Sequence, residues 1–201
     1  MANRNERLSL RFTPKEIITP ELCMEAVRHE VSELQFVPKF FCTKELCTEA
    51  VHMDGKALAY VPRETCTPEM CSEAIRQCCK NIRYVPDHFL TQELCMEAVR
   101  HEEHALCYVP NKCRTLDVCT EAVRHNAENL RYVPDTLFSL DLCMEAVRHF
   151  GMALRYVPDY LRTPNVCLNA VKQNIKALRY VPAEILAETL EAFVGKNEIK
   201  F

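Results

Sequence analysis

Glycine is scarce. Three glycines in 201 residues leave the chain without the residue that tight hairpins and bulges draw on, which excludes a β-turn-rich fold. Long apolar runs are also missing, and no stretch approaches the roughly 18 residues that a membrane-spanning helix needs. Residues 1–14 carry Arg4, Arg7 and Arg11 with no apolar segment among them, so no secretory leader is expected. Neither sign of charge dominates. A formal net charge of −3 and a pI near 6.2 argue against general affinity for nucleic acid or an anionic membrane. The chain has no C-x₂-C, G-x-S-x-G or phosphate-loop motif, and so no zinc, cluster or nucleotide site is expected. No Ser/His/Asp set or carboxylate pair stands out from the repeat described next, so the expectation is a protein with no cofactor and no enzymatic activity.

What is present is a period. The motif Leu22-Cys-x-Glu-Ala-Val27 returns every 24 residues, seven times, without insertion or deletion. Pro38, Pro62, Pro86, Pro110, Pro134, Pro158 and Pro182 keep the same step. Self-similarity at a short fixed period marks a solenoid, in which each unit buries its apolar face only against its neighbours. The fold class expected is an all-α, right-handed α-solenoid. Seven repeats span residues 19–186, with a half-repeat cap at 1–18, where Leu10, Phe12, Pro14 and Ile17 keep the register. A capping helix and tail at 187–201 follow, in which Glu188 to Val194 loosely imitate the repeat helix without its cysteine.

Each unit reads from cap to turn. Thr19, Thr43, Thr67, Thr91, Thr115, Ser139 and Thr163 are N-cap residues whose hydroxyl takes a free amide of the first helical turn. Pro20, Pro68 and Pro164 follow at the first helical position, where a missing N–H costs nothing. An acid comes next in six of the seven units and complements the helix dipole. A helix of about ten residues then buries the stripe Leu22, Cys23, Ala26 and Val27. Gly55, Gly151, Asn126 and Asn174 stand where it ends and suit a left-handed cap. The remaining dozen residues, Leu-x-Tyr-Val-Pro among them, suffice for one or two short turns, partly 3₁₀, before proline redirects the chain. An apolar residue three after the proline (Phe41, Phe89, Leu137, Leu161, Ile185) is expected to close each unit against the core.

Thirteen cysteines need an account. Cys23, Cys47, Cys71, Cys95, Cys119, Cys143 and Cys167 share one repeat position, so neighbours lie about 8–10 Å apart if helices pack on helices. A disulfide needs Cα atoms within about 7 Å. The ladder cysteines are therefore core filler of a reducing compartment, the cytoplasm. Cys42 and Cys66 share a second position, five before Cys47 and Cys71. Cys107 and Cys113 are extra, and the adjacent Cys78 and Cys79 would be oxidation-sensitive if exposed.

The run from Glu121 to Pro134, and again from Asn169 to Pro182, resembles an uncharacterised bacterial family of short tandem helical repeats with units of the form EAVxxNxxALxYVPxxL. That family occurs in cytosolic proteins and in some secreted effectors. The period is also similar to that of leucine-rich variant repeats, whose iron–sulfur motif has no counterpart here. The resemblance implies a fold and no activity.

Function must then lie in surface columns. One column runs Gln35, Ala59, Arg83, Cys107, Arg131, Arg155 and Arg179; a variable one beside it runs Ser32, Lys56, Lys80, His104, Glu128, Met152 and Lys176. Asp87, Asp135 and Asp159 accompany Arg83, Arg131 and Arg155 four residues on, which suggests local ion pairs across the proline turn. The Glu25 and Arg28 columns are three apart and of opposite charge, and pair within or between units. His29, His101, His125 and His149 form an exposed stripe whose members are too far apart to share a metal. The leading expectation is a scaffold that binds a protein or peptide through Arg83, Arg131, Arg155 and Arg179 with Lys56, Lys80 and Lys176. A purely structural spacer, a nucleic-acid reader and a thiol- or metal-responsive protein are the alternatives.

Overall fold

A computed structural model describes residues 9–196. Among these residues every regular element is helical: eight α-helices and fourteen short 3₁₀ helices. Helices α1 (Pro20–His29), α2 (Lys44–Met53), α3 (Pro68–Gln77), α4 (Gln92–His101), α5 (Leu116–His125), α6 (Leu140–His149) and α7 (Pro164–Gln173) have ten residues each, one per repeat. The helical repeat solenoid expected from the period is the fold. The contacts divide the chain into two compact units, residues 1–98 and 99–201, and the division falls between Ala98 and Val99 inside α4 rather than at a linker.

Capping fixes where each helix starts. The hydroxyls of Thr19, Thr43, Thr67, Thr91, Thr115, Ser139 and Thr163 accept from the amide three residues on at 3.2–3.4 Å. The first turn also holds Glu45 and Glu93 below the ordinary carboxylate range, through their own backbone amides and then the Thr43 and Thr91 hydroxyls. The helix ends differ from expectation. No described non-glycine or glycine residue has positive φ. Instead Asn126 and Asn174 are extended, at φ −151°, and each caps the following 3₁₀ helix by accepting from the amide two residues on. The α-helix thus stops because one extended residue starts a new helix, not because a left-handed residue turns the chain.

Gly55 and Gly151 are small for a different reason. A Cβ on Gly55 would stand 2.9 Å from the Ala74 backbone of the next repeat, and one on Gly151 would strike the Ala170 carbonyl. At both places the next repeat carries glutamine where most carry histidine. Gln77 and Gln173 accept from the Gly55 and Gly151 amides at 2.6 Å and donate to carbonyls that end the preceding helix.

Two layers result. Within the first unit α1 packs on α2 and α2 on α3, while the 3₁₀ helices Val31–Phe36, Gly55–Tyr60 and Cys79–Tyr84 stack beside them. Within the second, α5, α6, α7 and α8 (Ala183–Lys196) pack in turn, beside Ala127–Tyr132, Gly151–Tyr156 and Ile175–Tyr180. The ladder cysteines are wholly enclosed between the layers with the Ala26-to-Ala170 and Val27-to-Val171 columns. Small Cys and Ala side chains allow close approach, and Leu34, Leu58, Ile82, Leu106, Leu130 and Leu154 fill the second layer.

The described part of the N-terminal segment consists of two 3₁₀ turns, Leu10–Phe12 and Lys15–Ile17, of the kind that follow the α-helix within the repeats. It is tied down by the buried Glu33, which accepts from the Leu10 amide at 2.7 Å and the Ser9 hydroxyl at 3.0 Å. Residues 1–8 lie outside the described residues. The C-terminal cap begins earlier than 187, because α8 starts at Ala183 and replaces the last short turn; residues 197–201 lie outside the described residues. Only at Ile18, Cys42 and Cys66 is the core closed one residue later than expected; Leu90, Phe138 and Leu186 at the same position are half-buried. Phe41, Phe89, Leu137, Leu161 and Ile185 are only half-buried, whereas Ile18, Cys42 and Cys66, four after the proline, are buried.

Candidate functional site

The α-helical face carries a ladder of Arg–Glu ion pairs, with a His–Glu contact at one step, between successive repeats. Arg28 meets Glu49 at 2.6 Å, His52 meets Glu73 at 3.6 Å and Arg76 meets Glu97 at 3.4 Å; in the second unit Arg100 meets Glu121 at 3.0 Å and Arg124 meets Glu145 at 3.3 Å. The series stops at Arg148, since the next repeat has Asn169 in place of the acid. His29, His101, His125 and His149 are exposed on this side. Among the described residues no group of three or more His, Cys, Asp or Glu could hold a metal ion. This face spends its charges on itself.

The 3₁₀ face differs. Arg131 places its guanidinium carbon 5.0 Å from the Tyr132 ring centre and 5.9 Å from that of Tyr156. Arg155 lies 4.4 Å over Tyr156, and Arg179 lies 5.7 Å from Tyr180. Cation–π contacts of this kind hold a guanidinium while leaving N–H groups free to donate. The three arginines are exposed and the three tyrosines half-buried, so the strip offers charge on an aromatic floor. Within the second unit the two nominated columns meet, because Arg155 reaches Glu128 at 3.3 Å. Among the described residues neither Arg131 nor Arg179 forms an ion pair.

The local Arg–Asp pairing does not hold at the Arg131 and Arg155 turns. Arg155 turns to Glu128, and Asp159 pairs with Arg162 at 3.0 Å. Asp135 and Asp159 each open a short 3₁₀ helix, where a carboxylate faces free amides, while the arginines lie back on tyrosine. In the first unit Arg83 lies 5.5 Å from the Tyr84 ring centre and donates to the Lys80 carbonyl at 3.0 Å. Lys56, Lys80 and Lys176 are exposed. The structure therefore assembles Arg131, Arg155 and Arg179 with their tyrosines into one strip within the second unit; Arg83, Lys56 and Lys80 belong to the first.

Two arrangements escaped the sequence. Arg114 donates to the Val109 carbonyl at 2.9 Å and the Tyr132 carbonyl at 2.8 Å, and Arg162 repeats this with Val157 at 2.9 Å and Tyr180 at 3.2 Å. Their signal was available, since a half-buried arginine interrupts a column otherwise occupied by Ile18, Cys42, Cys66, Leu90, Phe138 and Leu186. The second is a pair of thiol contacts: Cys42 Sγ lies 3.4 Å from Cys47 Sγ, and Cys66 Sγ lies 3.6 Å from Cys71 Sγ. Ladder cysteines do not approach one another in these pairs; each meets an off-ladder cysteine of the turn before its helix. None of the thirteen cysteines is in a disulfide.

Three overlapping stretches, residues 43–90, 67–114 and 91–138, and a fourth, residues 140–186, match the model of a family described as "Domain of unknown function (DUF4116)". Each stretch covers about two of the 24-residue repeats. No curated protein and no solved structure matches the chain.

Proposed function

The chain belongs to the DUF4116 family, and from that premise we propose that it is a non-enzymatic repeat scaffold whose arginine–tyrosine strip binds an extended, acidic segment of another protein. The observation that carries this reading is the row Arg131, Arg155 and Arg179, each laid on the tyrosine that follows it. The Arg28-to-Arg124 column on the α-helical face is matched by glutamates of the next repeat; the arginine–tyrosine strip has a single carboxylate, Glu128. Arginines held on rings lose little further freedom when a carboxylate arrives, and their planar fork suits bidentate binding. The acids, histidines and cysteines that stand out do so because they recur, which supports a scaffold over an enzyme. No described helix is long and apolar enough to cross a membrane, and the enclosed ladder of cysteines used as core filler supports a reducing compartment.

The test is binding to arrays of extended peptides graded in Asp and Glu content. Binding should rise with acidity, and the triple variant Arg131→Ala, Arg155→Ala, Arg179→Ala should weaken it several-fold to about a hundredfold, with helix content unchanged. Binding indifferent to peptide charge would overturn the reading. So would tighter binding of single-stranded oligonucleotides at the same salt concentration, which would favour a nucleic-acid reader.

A further inference from the structure

We propose that Cys42–Cys47 and Cys66–Cys71 are two dithiol modification sites, which close to intramolecular disulfides by exchange with a low-molecular-weight disulfide such as oxidised glutathione. This is independent of the binding strip. Each pair joins the end of a turn to the first turn of the following α-helix, with Cys47 in α2 and Cys71 in α3. The sulfurs stand 3.4 and 3.6 Å apart. A disulfide bond is about 2.05 Å long, so closure asks two sulfurs to approach by roughly 1.4–1.6 Å. Neither pair bridges two repeat helices, so the stack need not move.

The pairs are asymmetric, as exchange requires. Cys42 and Cys66 each retain 7% of their surface, whereas Cys47 and Cys71 have none exposed. The first two, though buried, are the less enclosed of each pair, and to them the attack on the reagent is assigned. A hydrogen bond from Cys47 lowers Cys42, and one from Cys71 lowers Cys66, against the opposing effect of burial; their partners are raised by the same contact. The Cys42 thiolate attacks one sulfur of the small disulfide, forming a mixed disulfide and releasing one small thiolate. Cys47 then gives up its proton and attacks Cys42 Sγ, expelling the second small thiolate as the Cys42–Cys47 bond forms. Two protein thiols are oxidised and one small disulfide is reduced to two thiols; Cys66 and Cys71 follow the same course.

The ladder cysteines Cys119, Cys143 and Cys167 of the second unit lack this chemistry. They have Arg114, Phe138 and Arg162 five residues before them in place of a thiol. Burial pushes all three up to about 11, so they remain protonated and enclosed.

The experiment treats the full native chain with oxidised glutathione, quenches in acid and maps each cysteine by alkylation and peptide mass. The expected result is loss of four thiols as two linkages, Cys42–Cys47 and Cys66–Cys71, reversed by dithiothreitol with helix content constant. Cys47→Ser should trap glutathione on Cys42, and Cys42→Ser should leave only the second linkage. The proposal fails if Cys78, Cys107 or Cys113 is oxidised while these four stay reduced. It fails equally if the linkages form only in denaturant. The map on the unaltered chain decides by itself, so an unfolded serine variant does not leave the question open.

Discussion

In the first unit the residue four after the repeat proline is Ile18, Cys42, Cys66 or Leu90; in the second it is Arg114, Phe138, Arg162 or Leu186. The joint between turn and next repeat is made in two ways. A thiol or hydrocarbon fills it by packing. An arginine fills it with its stem and spends its guanidinium on two carbonyls, one five residues back and one eighteen ahead. A repeat position thus specifies a volume and a set of unused backbone acceptors rather than a residue type. The core ladder, eight residues beyond Asp87, Asp135 and Asp159, is stricter: it holds cysteine in all seven repeats, with none of its surface exposed.

That contrast can be broken or sharpened by exchange. The largest effect is expected for Cys47→Arg or Cys143→Arg, one in each unit, which bury a charge where exposure is zero. The cost should be on the order of 4 kcal/mol or more, read as an early urea midpoint; a loss under about 1 kcal/mol would show that the ladder is not sealed. Arg114→Leu should cost about 1–3 kcal/mol, as the Val109 and Tyr132 carbonyls lose a charged donor. The reciprocal Cys66→Arg should cost less than Cys47→Arg by a clear margin, because Val61 and Tyr84 stand at the same offsets as Val109 and Tyr132 do from Arg114. Equal damage from the two cysteine variants would end the equivalence of the joints. The smallest effect belongs to the exposed ladder. Arg124→Ala should cost under about 1 kcal/mol, and the difference should fade as salt is raised.

How much of this was legible follows from what a period encodes. An invariant 24-residue step fixes which residues share a column, so the helices, their threonine caps and the buried Cys, Ala and Val stripes could be read directly. It says nothing of distances between columns. Cys42 and Cys47 are five apart across a change of helix type, and only the turn's geometry brings their sulfurs to 3.4 Å. Arginine's reach is equally invisible: the Arg–Asp coincidence suggested pairing, while the actual partners were tyrosine rings, Glu128 and Arg162. The glycine reading failed for the same reason, since Gly55 and Gly151 answer to the helix of the next repeat and not to their own dihedral angles.

Those two glycines bear on how such a chain can be rearranged. Gly55 is served by Gln77 and Gly151 by Gln173, each pair 22 residues apart and straddling a repeat boundary. A single repeat cut out and placed elsewhere would part the two, leaving a bare amide beside one graft and a mismatched glutamine beside the other. The transferable cassette is therefore a pair of repeats, and anyone shortening or lengthening this chain should splice between Gln77 and Gly151 and leave the doublets whole.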